Sequence, residues 1–504
     1  MKLSLKGKWC FTFLLCVVFF ILVLQIMKNH QSKKSLITLW STHAPFSTDP
    51  LEYDVISHHI CFRSILSSVI SQYHLGKYEG ILAESWDPFD EYKGWKFVIR
   101  KDLHFENGDE ITPDHIVRSW MRMAYLQKKK NSHNGFLELL DGFERITSPK
   151  SSIRGIQVKD QTITLYFTKP CKKLLETISF GLYSVIHPKN YDANTGEWKN
   201  PKKVISSGGY KIDSWGKESI KLKRREDFLP EIRHPQAPEN VFITWDPEKK
   251  LDSDLISGGS NEKKLGTNRV FQGPVISNIA YVICASWTDA NSICHNLENR
   301  VLLRNEFYKA LIQDGIKPTF SFFPLTMANV RESLFKTENN TNFFTNSKKK
   351  FTLRYVHTWF KNPFFDPFDI AMEKIAKKLN LKPKKKNITQ QQVQKEKDPL
   401  LKTQTFDVAM LGTGILIDDP MADIRFMFLS KEGIRLSDID GSIHKELEQE
   451  NFDPQKINEL IWDQAVVWPV GHFSFGIWAK KHIDFSEINT VLPPIDFQWI
   501  GLKN

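Results

Sequence analysis

The alternation of apolar and polar positions along the chain predicts strands and helices that are interspersed to its end. Strands are indicated at residues 36–40, 95–100, 241–245, 279–282 and 351–356, and pairs of strands joined by a turn are indicated at 156–167, with the turn at Lys159-Asp160, and at 209–224, with the turn at Gly216. An apolar run indicates a buried strand at 406–411, and helical spacing predicts helices over 302–313, 366–381 and 454–467. This mixture favours an α/β architecture over an all-β fold or a helical bundle.

The clearest local signal is a strand, a turn and a helix in close succession. Large apolar residues alternate with polar ones over residues 95–100, and the following Asn107-Gly108 pair favours a tight reversal. Thr112 then suits a helix N-cap, and Pro113 suits the first helical position. The unit by itself indicates structure and carries no chemistry.

The first 35 residues predict a membrane segment. Residues 9–27 are largely apolar and are flanked by lysines, and 19 such residues are about enough to span a bilayer as a helix. No small-x-small cleavage motif follows them, so we expect an uncleaved signal-anchor with a linker that ends at residue 35. Cys16 does not favour lipid attachment, because Leu15 precedes it where a small residue is needed.

Length and charge narrow the class of protein. A chain of 504 residues exceeds one ordinary core and should divide into two or three lobes. The net charge is +11, but residues 1–35 contain six lysines and no acid, which leaves +5 for the remainder. A mildly basic globular body gives no support for a nucleic-acid partner.

The sequence contains no motif of a known catalytic or metal site. HExxH, P-loop and GxSxG patterns are absent, and the pair His58-His59 lacks a partner at metal-binding spacing. The Gly412-Thr-Gly414 segment lacks the third glycine of a dinucleotide loop and predicts a turn at a strand end. We therefore predict no enzyme activity, no cofactor and no metal.

Cys284 and Cys294 either form a disulfide or are buried free thiols.

Residues 382–397 are of low complexity, with runs of lysine and glutamine. Their composition predicts a solvated loop or a polar helix extension at the surface.

A longer string gives the sequence a family resemblance. Residues 80–120, GILAESWDPFDEYKGWKFVIRKDLHFENGDEITPDHIVRSW, closely resemble the signature of the family 5 extracellular solute-binding proteins, the peptide, nickel and oligosaccharide receptors of ABC importers. Weaker similarities follow in the family's order at residues 48–54, 155–162, 207–212, 299–311 and 406–420. One departure lies at Gly209, where the family usually carries proline.

The resemblance implies a two-lobed periplasmic-binding-protein fold of type II, with a hinge between the lobes and an inserted subdomain. Lobe I would have its core in residues 36–60, 191–269 and 476–504 and its insert in 61–190. Lobe II would span 270–475. Ligand would bind in the cleft between the lobes.

The resemblance also implies contact residues in two segments: Asp54, Ile56, Ser57, Thr413, Gly414, Leu416 and Asp418. An extended peptide there could add a strand between the lobes. Peptide-binding members carry a tryptophan at the position of Thr413, and at that of Leu416 an aspartate that pairs with the ligand's amine. A buried amine without a partner costs several kcal/mol. Either Asp54 or Asp418 takes over that role, or the ligand has no free N-terminus.

The implied function is that of the substrate-binding protein of an ABC importer. It would act as a monomer outside the cytoplasmic membrane, capture oligopeptides and deliver them to permease subunits. A membrane-tethered sensor or scaffold of the same fold, or a receptor for a non-peptide solute, remains an alternative. A DNA-binding regulator would need an N-terminal helix-turn-helix, where the apolar segment lies.

Overall fold

A computed structural model describes most of the chain beyond residue 35. The described residues are 36–42, 44–52, 62–74, 77–129, 135–229, 231–259, 265, 268–284, 287, 289–322, 351–357, 365–387, 406–415, 428, 438–449, 452–486 and 496–503. Across these ranges we find no helix with the length and apolar character needed to cross a membrane. The predicted signal-anchor lies outside them.

Strands and helices are interspersed along the described residues. The strands are β1 (Leu36–Trp40), β2 (Ile70–His74), β3 (Lys77–Gly80), β4 (Ala83–Phe89), β5 (Gly94–Ile99), β6 (Ile156–Lys159), β7 (Thr162–Tyr166), β8 (Tyr210–Trp215), β9 (Ser219–Arg224), β10 (Asn240–Thr244), β11 (Leu255–Gly259), β12 (Arg269–Cys284), β13 (Thr352–His357), β14 (Lys382–Asn387), β15 (Val408–Ile415), β16 (Val467–Lys480), β17 (Ile483–Asp484) and β18 (Gly501–Leu502). The α-helices are α1 (Pro113–Lys129), α2 (Leu174–Ile178), α3 (Leu297–Gln313), α4 (Phe365–Lys378), α5 (Ser442–Leu447) and α6 (Pro454–Gln464).

One ten-stranded sheet organises the molecule, in the order β14-β13-β15-β12-β16-β11-β1-β10-β9-β8. β1 is parallel to β10 and β11, and β13 is parallel to β14 and β15; the remaining pairs are antiparallel. Separate hydrophobic cores cover the two ends of this sheet, and we refer to the end around β1 and β10 as the lobe I end and to the end around β13 and β15 as the lobe II end. The mixed α/β content agrees with the sequence-based expectation.

A separate four-stranded sheet, β4-β5-β7-β6, contains the strand, turn and helix unit. Its core includes Phe97 and Ile163 from the strands and Trp120 from α1, each at most 1% exposed. α1 begins at Pro113, as predicted, and Thr112 N donates to His115 Nδ1 at 3.2 Å in the first turn. The local sequence signals are confirmed here because capping and core-facing positions agree with each other.

Two predictions of local structure are wrong, and a third strand was predicted in the right place but too short. The strand predicted at 279–282 begins ten residues earlier, at Arg269, because β16 supplies a partner along its whole length. Lys382–Asn387 form edge strand β14 instead of a loop or a helix extension, with the lysines at the solvent-facing border of the sheet. The Gly412-Thr-Gly414 segment lies within β15, not in a turn.

The two lobe II cysteines are free thiols in this structure. Cys294 Sγ contacts the carbonyl of Asp407 at 3.4 Å, and Cys284 Sγ contacts that of Ala465 at 3.7 Å. Burial raises the pKa of Cys294 well above its usual range. Of the alternatives that the sequence left open, the structure has the buried thiols.

Candidate functional site

Two long strands, β12 and β16, run through both halves of the large sheet. Residues 269–272 of β12 pair with β16 beside β11, at the lobe I end. Residues 277–284 of β12 lie between β16 and β15, at the lobe II end. Both strands therefore cross from one half of the molecule to the other.

The pairing between the crossing strands is interrupted midway. Gln272 pairs with Ile477 and Ile276 pairs with Phe475, so three residues of β12 stand opposite Gly476 alone. On its other side Gly476 pairs with Gly258 of β11. Two of the three unpaired β12 residues are Gly273 and Pro274, which favour an irregular backbone because glycine lacks a side chain and proline lacks an N–H. The backbone pairing of the sheet is therefore irregular at the level of Gly476.

Strand ends from both lobes converge on this level. β1 and β11 are parallel to each other, and both run toward the interruption from lobe I. β15 runs antiparallel to β12 and reaches the interruption from lobe II, and β13 runs parallel to β15. In open α/β sheets ligands bind beyond the carboxyl ends of strands. The space between these strand ends is the candidate site.

The structure places two of the seven predicted contact residues. Thr413 and Gly414 are near the carboxyl end of β15, where they pair with Ile279 and Asn278 of β12. The backbone of both therefore lies at the cleft end of lobe II. The other five, Asp54, Ile56, Ser57, Leu416 and Asp418, fall outside the described residues, as do His58 and His59.

A buried ion pair fixes the segment that leads to residue 54. Arg122 of α1 donates to both carboxylate oxygens of Asp49, at 3.0 and 2.6 Å. Its Nε donates to the carbonyl of Gly196 at 2.7 Å, and the guanidinium lies over the rings of Tyr191 and Trp198. A charge this deeply buried needs such a complete set of partners. The pair ties the segment around Asp49 to α1.

The lobe I ends of the crossing strands are clamped around Asp254. Its carboxylate accepts from Thr38 of β1 at 2.8 Å and from Lys480 of β16 at 3.2 Å. Arg269, the first residue of β12, donates to the carbonyls of Asp254 at 3.1 Å and Leu251 at 2.7 Å. One polar cluster therefore holds the ends of β1, β12 and β16 together.

The lobe II end of β16 is held by α3. The Arg304 guanidinium lies 3.7 Å from the Trp462 ring and donates to the carbonyl of that residue, and burial lowers the pKa of Arg304 to about 10. The hydroxyl of Tyr308 donates to the carbonyl of Pro469 at 2.7 Å. The interruption at Gly476 and a second register shift between Ala280 and Tyr281 both lie between these two held ends.

The turn after β5 has an electrostatic role away from the cleft. His187 Nδ1 accepts from Lys189 N at 3.0 Å, so its Nε2 carries the proton and donates to Asp109 at 2.8 Å. Asn107 Nδ2 also donates to that carboxylate at 2.7 Å. The hydrogen bond from His187 contributes most to lowering the pKa of Asp109, and the bonds from Asn107 and Lys189 lower it further, to about 2. The most distinctive motif of the sequence is therefore structural.

The low pKa of Asp109 predicts an acid-dependent contribution to stability. The contribution is complete above the ordinary carboxyl pKa of 3.8 and is lost as the pH falls toward 2. Asp109→Asn should lower the free energy of unfolding by a constant amount from pH 7 to about 4.5, with the difference shrinking below about pH 4. Urea unfolding across this range is the measurement. Asp160→Asn, at an exposed turn, is the matched control, and an unchanged acid slope for Asp109→Asn would contradict the prediction.

No group of histidine, cysteine, aspartate and glutamate side chains suited to a metal ion occurs in the part of the chain that the structure describes. Sequence reasoning also missed the polar clamps. Asp49 and Arg122 are 73 positions apart, and Asp254 and Lys480 are 226 apart. Neither separation leaves a pattern that a single sequence reveals.

The comparisons with known proteins agree with this geometry. Residues 77–250 match the sequence model of the bacterial extracellular solute-binding proteins, family 5 Middle. The periplasmic oligopeptide-binding protein OppA of Haemophilus influenzae is 22% identical over 184 residues, which are 36% of this chain and 34% of OppA. The sequence matches span about a third of the length of such curated relatives.

Two solved structures share the fold over nearly the whole chain. The H. influenzae OppA complex with RPPGFSPFR superposes with a TM-score of 0.72 at 15% identity, covering 93% of this chain and 99% of OppA. The periplasmic binding protein DppA of Helicobacter pylori, in complex with the peptide STSA, also gives 0.72, at 16% identity, covering 94% and 100%. These structures are two-domain binding proteins of mixed α/β content. Taken together, residues 77–250 of this chain match the family 5 model, and the chain shares its fold with two binding proteins solved in complex with peptides.

Proposed function

We propose that this protein is the substrate-binding component of an ABC importer and captures oligopeptides between its two lobes. The observation that carries the proposal is the pair of crossing strands, with strand ends from both lobes directed at their interruption. Such a joint allows two lobes to close over a ligand. The relatives named oligopeptide-binding proteins, and the two peptide-bound structures, support a peptide as the ligand.

The proposed binding mode uses backbone more than side chains. An extended peptide would lie along the cleft end of β15, near Thr413 and Gly414, with Asp54, Ile56 and Ser57 on the lobe I side. Leu416 cannot neutralise a peptide amine, so Asp54 or Asp418 takes that role. The protein itself performs no chemistry on the peptide and releases it to permease subunits.

The proposed lobe boundaries are those implied by the family resemblance. Lobe I comprises residues 36–60, 191–269 and 476–504 with the insert 61–190, and lobe II comprises 270–475. The protein would act as a monomer on the extracytoplasmic side of the membrane. The 19-residue apolar run at 9–27 supports tethering there by an uncleaved anchor.

Calorimetric titration with a set of oligopeptides tests the proposal. Peptides with a free N-terminus should bind, and acetylation should weaken binding about tenfold or more if a carboxylate pairs with the amine. Asp54→Ala or Asp418→Ala should then reduce the affinity for free peptides and leave that for acetylated ones unchanged. Equal affinities of both variants and the native chain for free peptides would remove these carboxylates from the site. An absence of binding by any peptide would contradict the proposal itself.

A further inference from the structure

The ten-stranded sheet ends in an edge strand, β8, on the side of lobe I away from the crossing strands. β8 pairs with β9, and no strand among the described residues pairs with its other side. Tyr210 N donates to the carbonyl of Ser64 at 2.9 Å, which covers the first residue of the strand. Residues 211–215 therefore form the open part of the edge, with an irregularity in its pairing to β9 between Ile212 and Ser214. An open edge offers backbone N–H and C=O groups to a second chain.

This edge borders a pocket of about 770 Å³. β8 forms one wall, and the segment from Lys189 to Ile205 forms the other. Four half-buried apolar side chains contribute to its lining: Val204, Ile205, Ile212 and Trp215. The concavity is large enough to hold several side chains of an extended peptide beside the strand.

The border of the pocket is strongly basic. Four lysines line it, Lys189, Lys199, Lys202 and Lys203, against a single carboxylate, Asp213. Asp213 is itself paired with Lys221 at 3.1 Å. The Lys202 ammonium lies 5.9 Å from the centre of the Trp215 ring. A positive potential therefore lies over apolar surface along the open edge.

Lysines on an edge strand commonly serve to prevent pairing, as they do on the opposite edge, β14. The two edges differ in their surroundings. One lysine is paired in each place, Lys385 of β14 with Asp369 and Lys189 near β8 with Asp109, but only the lysines near β8 border a concave apolar surface among the described residues. Concavity, apolar lining and the excess of lysines over carboxylates together fit a binding surface better than a guarded edge.

We propose that the β8 edge binds an extended acidic segment of a partner protein by strand addition. Backbone hydrogen bonds to residues 211–215 set the register, alternate apolar side chains enter the pocket, and carboxylates between them face the lysines. The surface is separate from the cleft, because β8 lies four strands from β11, roughly 19 Å at about 4.8 Å per strand. An anionic membrane would use the lysines, but neither the open backbone edge nor the apolar pocket.

The test uses the full chain and a fluorescein-labelled, C-terminally amidated peptide of alternating glutamate and valine, with binding followed by fluorescence anisotropy. The variant is Lys199→Glu, Lys202→Glu and Lys203→Glu together. The matched control is Lys382→Glu, Lys384→Glu and Lys386→Glu, which makes the same charge change on β14. Thermal unfolding of both triple variants checks that they fold, as exposed lysines lead us to expect.

We expect the pocket variant to weaken peptide binding at least about tenfold and the β14 variant to change it less than about twofold. A peptide N-methylated at alternate residues keeps its charge but loses backbone donors, and it should also bind about tenfold more weakly. Equal binding of the N-methylated peptide, equal loss in both triple variants, or no binding at all would each overturn strand addition at β8. Binding to phosphatidylglycerol vesicles with the same dependence on the three lysines would assign the surface to a membrane and overturn the proposal.

Discussion

Arg122→Ala should lower the free energy of unfolding by about 3–5 kcal/mol, the typical loss when one partner of a buried ion pair is removed. The side chains of Arg122 and Asp49 are 1% and 7% exposed. Truncation leaves the Asp49 carboxylate buried without its cation, and it also removes the packing of the guanidinium on Tyr191 and Trp198. Urea unfolding followed by tryptophan fluorescence measures the change.

Two further variants show whether the loss of stability in Arg122→Ala comes from the unpaired buried charge or from shortening a side chain. Arg154→Ala breaks an exposed pair with Asp141, whose side chains are 66% and 40% exposed, and it should cost less than about 1 kcal/mol. The double variant Arg122→Met with Asp49→Asn should be less destabilised than Arg122→Ala, because no buried charge remains unpaired. A loss below about 1 kcal/mol for Arg122→Ala would show that the pair does not hold the segment as we describe.

Asp407→Ala should have a comparable effect in lobe II, about 3–5 kcal/mol. The Asp407 carboxylate is fully buried and accepts from Arg354 Nη2 at 2.7 Å, Arg354 Nε at 3.1 Å, Arg354 N at 2.8 Å and Ser292 Oγ at 2.7 Å. These bonds join the start of β15 to the start of β13. Their loss removes the acceptor that Arg354 and Ser292 share, and a buried donor that loses its acceptor costs about 1–3 kcal/mol.

Lys374→Ala is the matched control for this change. Its ammonium pairs with Asp314 in the same lobe, with 45% and 28% of the two side chains exposed, so its removal should cost less than about 1 kcal/mol. Hydrogen exchange should place the loss of protection caused by Asp407→Ala in β13 and β15, and that caused by Arg122→Ala in α1. Equal loss throughout both lobes would contradict the local roles of the two clusters.

Much of the fold was predictable where the local sequence and the tertiary structure favour the same element. α1 begins at Pro113, and the hairpin of β8 and β9 lies where alternation predicted it. β12 was predicted only in its second half, because Gly273 and Pro274 interrupt a strand pattern that pairing with β16 nevertheless sustains. β14 was missed because five of its six residues are lysine or proline, which are poor strand formers, and only its position beside β13 makes it a strand.

The location of the candidate site stays a prediction of the family resemblance, whereas the contacts that support the strands around it could not be predicted from the sequence. The family resemblance directs attention to Thr413 and Gly414, and their strand does end at the joint between the lobes. The clamp around Asp254 and the pair between Asp49 and Arg122 depend on contacts between distant segments. Such contacts follow from the packed fold, and no local rule of spacing or propensity encodes them.

Native mass spectrometry of the protein with its co-purified ligand tests the central claim most directly. The account predicts a one-to-one complex of the monomer with a family of masses that fragmentation resolves into short peptides of varied sequence. A single sugar, a metal chelate or another non-peptide solute in the cleft would contradict the assignment of an oligopeptide receptor.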